Sequence, residues 1–104
     1  MQSFMIAYHG GRPPKSKEEG MAHMEKRQTW VEGLGEAIVN PGTPMPMSKL
    51  ITADDVKDDE DPNSMKGFAV FRAENMEKAI EIAKTDPFLE IGGTIRLSLM
   101  KQMS

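Results

Sequence analysis

The chain has no cysteine, one tryptophan, one tyrosine and two histidines. Without cysteine there is neither a disulfide framework nor thiolate chemistry, and a reducing, cytoplasmic compartment is the default address. An excess of positive charge is also missing. Lys and Arg total 13 against 16 Asp and Glu, a net charge of −3, so the basic footprint of a nucleic-acid binder is absent and no nucleic-acid partner is expected. Long hydrophobic runs are lacking too. The longest, residues 4–8, falls well short of the about 18 residues of a membrane span, and no Lys or Arg precedes it as in a signal peptide. A soluble, unprocessed protein with no membrane partner is expected. What is plentiful is methionine, ten in 104 residues, which reads as adaptable core filler or as the lining of a promiscuous pocket. That length fits a single domain over residues 1–104 with one modest core.

Residues 3–9 alternate Phe4, Ile6 and Tyr8 with Met5, Ala7 and His9 before Gly10-Gly11 and Pro13-Pro14 break the pattern, which predicts a first strand. Ser16-Lys17-Glu18-Glu19 has the form of a capping box, so a long helix is expected to start there and to end at Gly33 and Gly35. A short second strand is expected over residues 36–40, closed at once by Pro41, Gly42, Pro44 and Pro46. Residues 47–52 suggest an added edge strand, and the acidic stretch from Asp54 to Asp61 a solvated loop. Residues 66–73 form a strand that is apolar on both faces through Phe68, Ala69, Val70 and Phe71. Asn75 caps a second helix whose Met76, Ala79, Ile80 and Ala83 make a one-sided stripe, and Pro87 closes it. Residues 94–100 alternate as the last strand.

Strand, helix, strand, strand, helix, strand is the order of the ferredoxin-like βαββαβ unit, an α+β fold with an antiparallel sheet. Two helices cover only one face of a four-stranded sheet. The doubled apolarity of residues 68–71 therefore points to a second copy packed sheet to sheet, a homodimer enclosing space for a small-molecule ligand.

Each histidine is weighed separately. His9 ends a strand beside two glycines, where a loop-exposed ring is the plain reading. On the first helix, at about 100° per residue, Met24, Val31 and Leu34 share one arc, with His23, Arg27 and Trp30 on or beside it. A guanidinium within an apolar stripe requires a carboxylate partner or a wet cavity, unless Arg27 snorkels along the helix edge and His23 is a boundary residue. Asp86, held extended by Pro87 and followed by Phe88, is a carboxylate able to orient an imidazole, or else an ordinary turn aspartate.

The acidic cluster lacks calcium-loop spacing, and no histidine pattern suggests zinc or haem, so neither metal nor cofactor is expected. Lys66-Gly67-Phe68-Ala69-Val70-Phe71 has the opening of an RNA-recognition motif. It fails where bases would stack, because Val70 takes the fifth position, Phe71 points to the opposite face and Ala73 fills the eighth.

Taken together, residues 4–8, the segment Met21-Ala22-His23-Met24 leading to Trp30, Asn40-Pro41-Gly42, Gly67-Phe68, Met76-Glu77-Lys78-Ala79 and Asp86-Pro87-Phe88 resemble the YCII-related family over nearly the whole chain. The resemblance implies a ferredoxin-like fold paired as a dimeric α+β barrel, with a helix histidine and the aspartate of an Asp-Pro-aromatic segment as the active site. The matching residues are His23 and Asp86. A large branch of that family carries Asp-Gly-Pro-Phe before the third main strand, where this chain has Asp58-Asp59-Glu60-Asp61-Pro62-Asn63-Ser64. The expected function is cofactor-independent acid–base chemistry on a small organic molecule, with His23 moving the proton and Asp86 holding the ring. Arg27 would attract an anionic group, and Tyr8 or Trp30 would form a wall. The alternatives are a non-catalytic ligand-binding or accessory dimer, and a cofactor-free monooxygenase of the same barrel superfamily with Trp30 near the substrate.

Overall fold

A computed structural model of the chain describes residues 1–101. Its elements are β1 (Gln2–Gly10), α1 (Lys17–Leu34), β2 (Ile38–Pro44), β3 (Lys49–Ile51), β4 (Val56–Asp58), β5 (Met65–Ala73), α2 (Met76–Ala83) and β6 (Gly93–Met100), with 3-10 turns at Gly35–Ala37 and Pro87–Ile91. Four strands form one antiparallel sheet in the order β2-β5-β1-β6. That order is the ferredoxin-like α+β arrangement expected from the sequence.

The alternation of β1 decides the two faces. Phe4, Ile6 and Tyr8 stand opposite Phe71, Ala69 and Gly67 on β5, and opposite Leu99, Leu97 and Ile95 on β6. On this face Ala79 and Ala83 of α2 and Trp30 of α1 close the core. Phe4 and Phe71 are wholly buried, with ring centroids 5.9 Å apart, and each contributes about 1.5–3 kcal/mol by leaving water. The opposite face carries Met5, Phe68 and Val70, all half-buried, and no element among the described residues covers it.

Several boundaries differ from expectation. Strand β2 does not stop at Asn40 but runs on through Pro41, Gly42 and Pro44. It is an edge strand with one neighbour, so a proline there forfeits no ladder bond, and its pairing with β5 slips between Ile38 and Asn40 and again between Asn40 and Thr43. The close approach needs Gly67, where a β-carbon would lie 2.8 Å from the Thr43 carbonyl oxygen. The edge strand expected over residues 47–52 is instead three-residue β3, paired with β4 in a separate hairpin. The acidic stretch is accordingly not all loop, since β4 lies within it. Helix α2 ends at Ala83 rather than at Pro87. Thr85 and Asp86 donate their amides to the Ile82 and Ala83 carbonyls at 3.1 Å, tightening the last turn, and Pro87 opens the 3-10 turn. At the start of α1 the Ser16 hydroxyl caps the Glu19 amide at 3.0 Å, but the Glu19 carboxylate leaves the capping box to pair with Arg12. Met24 faces solvent, and the inner arc of α1 is His23, Arg27, Trp30, Val31 and Leu34. No described helix is long and apolar enough to cross a membrane.

Candidate functional site

Asp86 is the polar residue of the core, 2% exposed. Its backbone is extended ahead of Pro87, and its carboxylate caps the 3-10 turn by accepting the Phe88 amide at 2.9 Å. A charge this deep needs further donors. The Tyr8 hydroxyl donates from β1 at 2.5 Å, and Arg27 Nη1 donates from α1 at 3.2 and 3.3 Å to the two oxygens. Three elements are thus tied to one carboxylate, and among the described residues no buried side-chain polar atom is left without a partner.

Arg27 finds the carboxylate that its position in the inner arc requires. Its guanidinium carbon lies 4.8 Å from the Tyr8 ring centroid and 5.1 Å from that of Trp30, within cation–π range. The other terminal nitrogen donates to the Pro41 carbonyl at 2.8 Å. Gly42, at φ +145°, leaves room for this, since a β-carbon there would come within 3.0 Å of Arg27 Nη2. The slipped strand β2 is therefore bonded to α1 through one cation. Trp30 is held by its indole N–H, which donates to the Thr85 hydroxyl at 2.8 Å.

Tyr8 packs edge-on against Phe88, with centroids 4.9 Å apart. Burial, reinforced by the Asp86 hydrogen bond and charge and opposed by Arg27, pushes the Tyr8 phenol well above its ordinary range. The hydroxyl therefore stays protonated at neutral pH and serves as a donor, not a base.

Beside this cluster lies an open cavity of about 450 Å³ between α1, β2 and the start of β5. Tyr8 and Arg27 form one wall, with Val31, Phe68, Phe88 and residues 41–44 supplying apolar surface. His23 lines the same cavity one helical turn before Arg27, together with Gln28, Glu32 and Lys66. Asp86 and Trp30 do not line it. The expected imidazole–carboxylate pair is thus replaced by a different arrangement. Asp86 is buried behind Tyr8 and Arg27, and its hydrogen bonds go to them and to the Phe88 amide, not to His23. The reason is geometric: Pro87 fixes the carboxylate inward, where a guanidinium and a phenol satisfy it better than one imidazole at the cavity edge would. Sequence reasoning also missed the Pro41 carbonyl and Thr85 as partners. The hint for the first was a proline-rich edge strand facing a helix arginine, whereas nothing in the sequence signalled the second. Among the described residues no group of three or more His, Cys, Asp or Glu could hold a metal ion.

No protein-family model matches the chain, and no curated protein does. Among solved structures, the chain is similar to 5-chloro-2-hydroxyhydroquinone dehydrochlorinase from Burkholderia phenoliruptrix, in a complex with 2,5-dihydroxybenzoquinone. The two are 21% identical, the match covers 97% of this chain and 95% of that one, and the TM-score is 0.60. At that identity the likeness is one of fold, and the neighbour shows that this architecture supports an enzyme acting on a small molecule.

Proposed function

We propose that the chain is a YCII-related cytoplasmic enzyme that works as a homodimer through its open sheet faces and performs cofactor-independent acid–base chemistry on a small organic molecule. The observation that carries this reading is the cavity beside the Tyr8–Asp86–Arg27 cluster, with His23 on its rim and without a hydrogen-bond partner among the described residues. An unpaired imidazole in a mostly apolar cavity is free to take a proton from a bound ligand and return it. Asp86 is a positioning residue in this proposal. Through Tyr8 and Arg27 it fixes the wall against which the ligand lies, and the Tyr8 oxygen, its proton committed to Asp86, accepts a hydrogen bond from the ligand. Arg27 is compensated by Asp86 and attracts an anionic group only in part, so Lys66 supplies the remaining positive charge. Phe68 and Lys66 belong to the open side of β5, so a second copy on that face would narrow the cavity mouth. The apolar walls and ring-sized space suit a hydroxylated ring compound of the kind bound by the fold neighbour.

The test is turnover of small hydroxylated and halogenated ring compounds, with 2,5-dihydroxybenzoquinone as the first binding probe. The expected result is a fall in kcat of about 100-fold or more in His23→Gln with KM little changed, the usual contribution of a general acid–base group. Unchanged turnover in His23→Gln rejects the proton-carrier role. The second reading is a ligand-binding protein without turnover, favoured by the absence of a hydrogen bond between Asp86 and His23. Saturable probe binding with no conversion of any compound would establish it.

A further inference from the structure

Among the described residues the open sheet face and the β3–β4 hairpin both lack a partner element, and their charges are opposite. On the open face Arg72 and Arg96 are exposed beside the half-buried Met5, Phe68 and Val70, and Lys66 is a third cation on the same side. No aspartate or glutamate shares that side of β1, β5 or β6 among the described residues. Neither arginine has an ion-pair partner among the described residues. The hairpin and the segment after it, residues 49–61, hold six carboxylates against Lys49 and Lys57.

The hairpin is an arm. Its strands pair only with each other, and it has no substantial packing against any other element. The radius of gyration is 15.1 Å, above the roughly 13 Å of a compact chain of this length. Ile51 and Val56 face each other across the hairpin and are 74% and 62% exposed. A lone two-stranded hairpin is marginal in water, and one presenting an apolar pair needs a surface to lie on. Residues 45–52 reach about 25 Å when extended, more than the roughly 15 Å across four strands.

We propose that the β3–β4 arm lies on the open sheet face of a second copy, with its carboxylates against Arg72 and Arg96 and the Ile51–Val56 pair on the apolar strip of Met5, Phe68 and Val70. The inference rests on the homodimer reading above, in which the open faces form the interface, and places each copy's arm between the two faces rather than leaving them bare. Two bare open faces brought together set arginine against arginine, whereas two exchanged arms supply the missing negative charge twice, as a two-fold interface requires.

Sedimentation equilibrium at micromolar concentration tests the arm with three variants, each checked by circular dichroism for an intact fold. Asp54→Lys/Glu60→Lys reverses two arm carboxylates that cap no turn, Arg72→Glu/Arg96→Glu reverses the face, and the third combines all four changes. The wild type should be a dimer that weakens with salt, each reversed variant should dissociate about tenfold or more readily, and the combined variant should recover wild-type affinity. A wild-type dimer whose affinity is unmoved by the arm reversal, or a combined variant that fails to recover, overturns the arm contact and leaves the homodimer standing. A monomeric wild type overturns both.

Discussion

The two helices lie on the same face of one sheet and are built on opposite plans. Helix α2 has eight residues, and its stripe buries Ala79 and Ala83 against the strands. Helix α1 has 18 residues and buries none of them. Its inner arc sets an imidazole, a guanidinium and an indole beside Val31 and Leu34, and is fixed by directional bonds from Arg27 to Asp86 and Pro41 and from Trp30 to Thr85. Apolar packing anchors one helix and polar bonding anchors the other. The difference shows how a chain of this size makes room for a cavity: the core is closed by the strands, α2 and, from α1, Trp30 alone, which leaves His23 and Arg27 on the inner face of α1 to border the open space.

Breaking the polar anchor should have the largest effect. Asp86→Ala leaves Arg27 and the Tyr8 hydroxyl without their acceptor and removes the cap of the 3-10 turn, so urea denaturation should show a loss of about 3–5 kcal/mol. Arg27→Met should approach that loss, because it strands a buried carboxylate, while Arg27→Met combined with Asp86→Leu should recover much of the stability. Losses that simply add would show that the two residues do not act as a pair. Ala79→Gly in α2 gives the apolar counterpart. Helix propensity and one lost buried methyl together cost about 1.5–2 kcal/mol, with no effect on ligand binding. Tyr8→Phe should cost least, about 1.5 kcal/mol, the low end for a bond to a charged group because Arg27 and the Phe88 amide still serve the carboxylate, and its signature is pH dependence. Because the folded state raises Tyr8 above its ordinary value of 10, the folded chain keeps this proton to higher pH than the unfolded chain does. Its stabilising contribution is complete below about pH 10 and falls as pH rises beyond that. Tyr8→Phe should flatten this alkaline decline and leave stability at lower pH with the same slope.

The same contrast explains what was readable in advance. Strand β1 and helix α2 were legible because Phe4, Ile6 and Tyr8 alternate and because Met76, Ala79, Ile80 and Ala83 recur with the helical period, although only Ala79 and Ala83 of that stripe are buried and Met76 and Ile80 stay about 40% exposed. Arg27 was legible as a cation needing a partner and Asp86 as a carboxylate held rigid by Pro87. Their pairing was not, since 59 positions separate them and no local rule brings them together. Tyr8 was expected as a wall and is also the shortest bond to Asp86. Strand β2 was misread past Asn40 because its prolines are breakers everywhere except on an edge, and only the sheet order shows that it is one. The β3–β4 hairpin is too short for periodicity to register.

The central claim is that the polar helix, not the apolar one, borders the working cavity. Titration of the isotope-labelled protein with a hydroxylated ring compound, followed by NMR, tests it most directly. The account predicts that the resonances of His23, Arg27, Phe68 and Phe88 shift and saturate together while those of Ala79, Ile80 and Ala83 stay in place. Saturable shifts confined to the groove between α2 and β6, at Ile80, Leu89 and Leu97, with His23 unmoved, would contradict it.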